Sequence, residues 1–460
     1  MNIKVLEDNE DCVSCEPVKI DVNEQTLQLN NHLHQHFVTL QSGFQNSDAT
    51  DIYMSLKNIN WIVRNYPNAV LDENIFNEFD SINIIFNCLQ NPSSQILSES
   101  LRVISILISR INIDNVVEFL ENHSFSQIIS NILSNQNEKL FKYVIVCLNS
   151  LFTQKNVIQY LSSSININLI HKTMQKLINS SRIQEISETR SEFCKFLYNF
   201  ASENLENQFA ETLCEISINS IDLKLNMECD NLLIWTLIKI LKQNKFLIMN
   251  CSQENTLNII YQGLHSTYSS IKSACCAFLF NYFKNEGDVQ YLNVEEIVLL
   301  LDSEPFVTSD FSCAIFCLQY FLRNTQVDLD FIANLKEKLE SKYGGIYIQN
   351  ALIITLIFEI LNTQQISLDI LIDPSKVDAF TWLERGIQYS NDEIRMGSLA
   401  LCEKLFDMAE SHSQLEEMRQ MFFDKSINDY LDEIENEEND PELSERLDLF
   451  KSKYFDSSDN

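Results

Sequence analysis

Residues 83–110 read NIIFNCLQNPSSQILSESLRVISILISR, and three apolar positions in this stretch organise the chain. Leu89 closes one apolar run. Asn91-Pro92-Ser93-Ser94 then supplies turn residues, with Ser93 or Ser94 placed to cap the next helix. Apolar residues return at Ile96, Leu97, Leu101, Ile104, Leu107 and Ile108, the spacing of one helix face. The stretch therefore predicts helix, turn, helix, marked by Leu89, then Ile96 seven positions on and Leu107 eighteen positions on.

The same triplet recurs. It stands as Leu133, Leu140 and Leu151; Leu300, Val307 and Leu318; Leu339, Ile346 and Ile357; and Ile387, Ile394 and Leu405. Leu264, Ile271 and Tyr282 form a looser copy. Leu177 starts another with a longer turn, and Ile218, Leu225 and Leu237 a degenerate one. The starts recur about every 43 residues. LSNQNEKLFKYVIVCLNSLF, LHSTYSSIKSACCAFLFNYF and IQYSNDEIRMGSLALCEKLF share the turn-then-helix syntax, and no period-two alternation persists to mark strands. One such pair cannot bury its own apolar face, whereas pairs stacked side by side make a continuous core. The expectation is an all-α fold: a right-handed α-solenoid of about eight to nine repeats over residues 26–430.

Composition agrees. Of 460 residues only 7 are Gly and 6 Pro, far below the usual ~12% for the two together, so turn-rich β folds and Gly-rich phosphate loops are disfavoured. The net charge is −32, a field that repels phosphate backbones and anionic lipid. No run is long and apolar enough to predict a membrane span, and no basic-then-apolar leader opens the chain. Of 13 cysteines, most lie inside apolar runs (Cys88, Cys147, Cys194, Cys275, Cys276, Cys313, Cys317), which fits free thiols in a reducing compartment. The expected location is the cytoplasm, with the nucleus as an alternative.

The period and triplet resemble the armadillo/HEAT family of α-solenoids over roughly residues 38–430. The resemblance implies a short first helix followed by two longer ones, the third lining a concave groove. IKSACCAFLFN, ending at Asn281, is similar to the family's third-helix pattern, and FLYNFAS places Asn199 comparably. Residues 40–79 look like the opening repeat of importin-α-type carriers. Those carriers repeat Trp with Asn four residues later on successive third helices. Here Val146 and Ala277 stand at such positions, Trp235 is followed by Lys239, and Trp61 with Asn65 has the spacing outside the register of the other units. Their basic autoinhibitory arm is replaced by acids: residues 1–25 hold Glu7, Asp8, Glu10, Asp11, Glu16, Asp21 and Glu24 against Lys4 and Lys19.

Residues 1–25 read as an acidic disordered tail and 431–460 as an acidic tail. Within the latter, Pro441 is placed to start a short amphipathic helix striped by Leu443, Leu447, Phe450 and Tyr454. It is either a cap on the solenoid or a docking segment. No nucleophile elbow, zinc-protease, P-loop or dinucleotide motif is present, so no catalytic residue is expected. Cys12 and Cys15 with His32, His34 and His36 offer weak zinc-ligand spacing in an otherwise loose acidic segment, and Cys313 and Cys317 read as core thiols; neither metal nor cofactor is expected. The expected activity is that of a non-catalytic protein-binding scaffold or adaptor, the alternative being a divergent importin-α-like nuclear transport adaptor. The partner is expected to be a basic, extended protein segment rather than nucleic acid, membrane or small molecule. Asn199 and Asn281 are the candidate binding residues, because an amide both donates to and accepts from a peptide backbone. Glu99, Glu192, Asp310, Glu359 and Glu403 on third helices read as solvated acids that favour a Lys/Arg-rich segment wherever they face the groove.

Overall fold

In the computed structural model, the triplet positions among the described residues take the places their pattern implies. Leu133, Leu264, Leu300, Leu339 and Ile387 lie at or near the last residue of a helix, and Leu89 is the middle residue of the short 3-10 turn Cys88–Gln90. Ile96, Leu140, Ile271 and Ile394 are each the third residue of the long helix that follows. Leu107, Leu151, Tyr282, Leu318, Ile357 and Leu405 lie further along those long helices, and all are buried. The structure describes residues 22–455 apart from 67–68, 109, 111–115, 136–137, 153–154, 180–182, 202–206, 224–226, 244–252, 303–307, 345–346 and 436–440. Val307, Ile346 and Leu225 therefore lie outside the described residues, as do Cys12, Cys15 and residues 1–21 of the acidic N-terminal stretch. Helix Val22–Gln45 begins within the last residues of that stretch.

Among the described residues the fold is all-α, without a strand. It is a helical-repeat solenoid in two compact units, Met1–Leu213 and Cys214–Asn460. In the first unit the long helices Ala49–Asn65, Ser94–Leu107, Glu138–Leu151 and Ile183–Phe200 pack in succession. In the second, Met227–Gln243, Ser269–Lys284, Thr308–Asn324, Tyr347–Thr363 and Asp392–Ser411 do the same, and Pro441–Tyr454 covers the last of them.

Repeat length decides how many helices a repeat has. The intervals of about 44 residues from Leu89 to Leu133 and from Leu133 to Leu177 each hold a short helix before the second one: Val116–Asn122 and Lys155–Ser164. The intervals of about 36 and 39 residues after Leu264 and Leu300 hold no such α-helix among the described residues, only the 3-10 turn Val289–Tyr291 in the first. The three-helix repeat implied by the armadillo resemblance thus occurs beside simple helix pairs among the described residues.

Local chemistry sets the joints. Asp80, Ser124 and Asp378 adopt left-handed backbone (φ 50°, 50° and 54°) immediately before second helices. Short polar residues tolerate that region, and it turns the chain sharply between two helices. Gly344 takes φ 100° in the Gly-Gly turn and its N–H donates to Asn350 Oδ1 (3.0 Å). Asp48 accepts from the N–H groups of Thr50 and Asp51 (2.8 and 3.1 Å), and Asn391 from Ile394 N–H (3.0 Å), both N-caps. Ser93 occupies the N-cap of Ser94–Leu107 as predicted, but its hydroxyl makes no cap bond; the turn is instead held by Ser93 N–H donating to Asn91 Oδ1 (2.9 Å).

Neighbouring repeats are tied by side chains that reach one repeat back and donate to the free carbonyls ending the previous long helix. Arg110 donates to Val63 and Tyr66 carbonyls (both 2.9 Å) and to that of Ala69. Gln364 donates to Leu322 and Thr325 carbonyls (2.7 and 3.2 Å). The Lys404 ammonium donates to Leu361 (2.6 Å), Asn362 (3.3 Å) and Gln364 (2.9 Å) carbonyls, and burial pushes its pKa down. For Arg110 and Lys404 the carbonyl dipoles at the helix C-terminus add to the attraction.

The C-terminal helix Pro441–Tyr454 starts at its proline and buries Leu443, Leu447, Phe450 and Tyr454 against Asp392–Ser411. Arg446 grips Glu403 with two bonds (3.0 and 2.6 Å). The apolar stripe read from the sequence is therefore the stripe this helix buries.

Candidate functional site

A long helix packed on both sides by its row neighbours and beneath by the preceding helix keeps one stripe part-exposed. In the first unit that stripe carries Trp61 and Asn65, then Arg102, then Val146 and Ser150, then Lys195 and Asn199. In the second it carries Trp235 and Lys239, Ala277 and Asn281, Phe316 and Tyr320, then Thr355 and Glu359. Contacts cross from helix to helix along each stripe. Arg102 stacks on Tyr143 (4.4 Å) and donates to its hydroxyl (2.6 Å), and Phe280 meets Phe316 (4.4 Å between centroids). Each unit therefore presents part-exposed side chains from successive repeats along one stripe.

Asn199 is half-buried on the last long helix of the first unit, and its amide donates to Asn149 Oδ1 (3.4 Å). Asn149 in turn donates to the backbone carbonyl and the carboxylate of Glu192 (both 3.0 Å). Asn281 is half-buried in the second unit and donates to its own helix at Ala277 carbonyl (2.7 Å). Asn65 and Asn324 do the same to Trp61 (2.9 Å) and Tyr320 (2.7 Å) carbonyls. An amide nitrogen carries two hydrogens, so Asn281 can still offer one donor and its Oδ1 while the other hydrogen bonds its own helix. Asn199 and Asn281 lie in different units, and each is a separate candidate contact.

The five third-helix acids are not simply solvated. Buried Glu99 accepts from Asn60 Nδ2 (3.1 Å) and Arg102 Nη1 (2.8 Å). Glu192 accepts from Asn149 and from Lys195 (2.8 Å), and Glu359 from Arg323 (2.6 Å). Buried Asp310 accepts from Ser309 (3.2 Å) and Ser273 (3.4 Å), and Glu403 from Arg446. These carboxylates stitch neighbouring helices together. The paired charge raises the pKa of Arg323 and Arg446, each first through the hydrogen bond to its glutamate. A ligand cation has to compete with those bonds, which removes most of the direct ion pairing expected of these five positions.

Trp61 and Asn65 lie on a helix that belongs to the row. Their helix Ala49–Asn65 packs against Ser94–Leu107 as the first long helix of the row, a relation the apolar triplet does not mark because this repeat lacks it. The Trp61 side chain is 64% exposed. Trp382, by contrast, is fully buried core.

The ten described cysteines are free and buried, and burial pushes Cys88 and Cys147 up to about 12, which keeps them protonated and inert as nucleophiles at neutral pH. Cys313 donates to Cys276 carbonyl (3.1 Å) inside the core. His32, His34 and His36 lie on Val22–Gln45, and no group of three or more metal-ligating side chains occurs among the described residues. No described helix is long and apolar enough to cross a membrane.

No family model matches the chain, and no curated protein is similar to it. Solved structures do match. An engineered protein solved by the Northeast Structural Genomics Consortium is similar over 84% of this chain and 96% of its own, at 14% identity and a TM-score of 0.56. That likeness extends to the fold alone. A designed armadillo repeat protein matches 54% of this chain and 99% of its own at 14% identity, with a TM-score of 0.41, below the level at which a likeness speaks for a shared fold.

Proposed function

We propose that the chain is a non-catalytic scaffold or adaptor of armadillo-like type that holds an extended partner segment along the part-exposed stripe of its long helices. The observation that carries this reading is the row itself. Successive long helices are cross-linked one repeat apart, as where Phe280 meets Phe316, while each keeps part-exposed side chains on one stripe, such as Ala277 and Asn281, then Phe316 and Tyr320. Asn199 and Asn281 are the residues proposed to meet the partner's backbone. A basic segment is the class favoured by the net charge of −32. Its attraction comes from the summed field more than from Glu99, Glu192, Asp310, Glu359 or Glu403, whose carboxylates already have partners. A carrier of importin-α type needs Trp–Asn pairs on successive long helices. Here Trp61–Asn65 is such a pair and Trp235–Lys239 is not, which favours the scaffold.

The test is fluorescence anisotropy of labelled Lys/Arg-rich peptides on the full chain at low and high salt. The control peptides have Lys and Arg replaced by Gln, and an Asn199→Ala/Asn281→Ala double variant is measured beside the natural chain. Preference for the basic peptides that fades with salt, and weaker binding by the double variant, are expected. Equal affinity for the Gln controls refutes the basic partner, and an unaffected double variant removes both asparagines from the site.

A further inference from the structure

The face of Ala49–Asn65 left open in the first unit differs in charge from the chain that carries it. Met54, Lys57, Trp61 and Arg64 succeed one another at the spacing of a single helical ridge, and all four are exposed. Met54 is 45% and Trp61 64% exposed. Among the described residues no carboxylate pairs with Lys57 or Arg64; the Lys57 ammonium lies only over the ring of Tyr53 (5.8 Å). Glu99, the acid nearest in the next helix, is buried and held by Asn60 and Arg102. Arg102 thereby sits beside the residue that precedes Trp61, with its guanidinium stacked on Tyr143. Asp51, on the first turn, is the one exposed acid of the helix.

We infer that this ridge is a docking site for an acidic partner segment that carries an apolar side chain, with Trp61 as the apolar contact and Lys57 and Arg64 as the cations that flank it. Charge complementarity selects the occupant. The chain as a whole repels acidic segments, but at physiological ionic strength charges act over only ~8 Å. The ridge from Met54 to Arg64 spans about 15 Å, with Asp51 one turn before Met54 at its N-terminal end, so a segment lying on it toward Trp61 experiences Lys57 and Arg64 more strongly than the acids of other repeats. A large aromatic ring beside cations that no carboxylate pairs with is also the composition in which binding energy concentrates at interfaces. A purely acidic segment gains nothing from Trp61 and Met54, and a purely apolar one gains nothing from Lys57 and Arg64, so the two requirements together give selectivity. The ridge shares Trp61 with the stripe of the first unit and assigns that end of it to an acidic segment rather than a basic one; it includes neither Asn199 nor Asn281, and its test leaves both of them intact.

The experiment titrates the full chain, at physiological salt, with three labelled dodecapeptides: Asp/Glu-rich with a central Leu and Phe, the same with Leu and Phe replaced by Ser, and a Lys/Arg-rich counterpart that retains Leu and Phe. The first should bind best. Trp61→Ser and Lys57→Glu/Arg64→Glu should each weaken it at least tenfold, Arg64→Lys far less, and Trp235→Ser not at all. All of these residues are exposed or half-exposed, and circular dichroism verifies that each variant keeps its helices. Unchanged affinity in Trp61→Ser overturns the proposal, as does stronger binding of the Lys/Arg-rich peptide that survives in the natural chain and tightens in Lys57→Glu/Arg64→Glu. A change confined to sedimentation of the chain itself also overturns it, by assigning the ridge to a second copy.

Discussion

Phe406→Ala should release the terminal helix Pro441–Tyr454 while leaving the rest of its unit folded. Phe406 is fully buried at the centre of an aromatic cluster: Phe422 (4.8 Å), Tyr454 (4.8 Å), Phe455 (5.3 Å) and Phe450 (5.4 Å) surround its ring. Three of those four partners belong to the C-terminal segment. Truncating a buried phenylalanine costs about 3–5 kcal/mol, and edge and tilted ring pairs contribute roughly 0.5–1.5 kcal/mol beyond buried area. The last repeat of a solenoid has a neighbour on one side only, so its local opening draws on few other contacts. What remains to hold it is the burial of Leu443 and Leu447 together with Arg446 on Glu403, Lys451 on Asp432 and Glu435, Lys453 and Tyr454 on Asp407, and Arg419 on the Tyr454 carbonyl, mostly partly exposed bonds worth little each. Hydrogen exchange read by mass spectrometry should show amides of 441–454 losing roughly 10²–10⁴ of protection, about a factor of ten for each 1.4 kcal/mol. Amides of 308–324 should hardly change. Phe406→Leu, which refills part of the volume, should lie between. Uniform loss across residues 214–460, or no loss in 441–454, would refute the idea that this helix is a locally stabilised cap.

Three other perturbations probe the same packing. Leu151→Ala, at a fully buried triplet position, should cost about 2–5 kcal/mol and loosen 94–107 and 183–200 first, with the second unit's exchange unaffected. Gly386→Ala should destabilise by about 1–3 kcal/mol although alanine ordinarily gains ~1 kcal/mol in a helix, because its Cβ would stand 2.3 Å from Phe358 Cζ and 2.5 Å from Ser398 Oγ; thermal unfolding gives the sign. Asp407 is held below its ordinary value of 3.8, first by the Lys453 hydrogen bond and then by that of Tyr454. Its contribution is complete above pH 3.8 and is lost as pH falls through the lower folded value, so Asp407→Asn should flatten the acid limb of the stability curve below pH 4 and little else.

The repeat was legible because burial imposes a period. Leu89, Ile96 and Leu107 are apolar for the same reason as Leu133, Leu140 and Leu151: each faces a preceding helix and a neighbour. A face buried in every repeat writes itself into every repeat. The stripe of Leu443, Leu447, Phe450 and Tyr454 was legible on the same ground, as was the proline at the start of its helix. The short first helices were not marked by motif, yet repeat length encodes them, since about 44 residues have room for one and about 36 do not. The left-handed joints at Asp80, Ser124 and Asp378 had no reliable signal, because Ser and Asp stand at many other positions without taking that backbone.

The candidate site was legible only in part. Asn199 and Asn281 were named from a local pattern, and both lie on part-exposed stripes. The fates of Glu99, Glu192, Glu359 and Glu403 were not, since each depends on a residue in a neighbouring repeat: Asn60, Asn149, Arg323 and Arg446. Nothing in the local sequence states which residue some forty positions away lies opposite. The place of the Trp61 helix in the row was hidden for the same reason, because it joins the row by packing against Ser94–Leu107 and not by carrying the triplet. The chain alone determined that helices form, where they begin and which face they bury, because propensity, capping and hydrophobic period act within a turn or two. Only the tertiary structure decided which acids are already bonded and which aromatic and cationic side chains are left open, because those outcomes depend on the neighbour each helix meets in space.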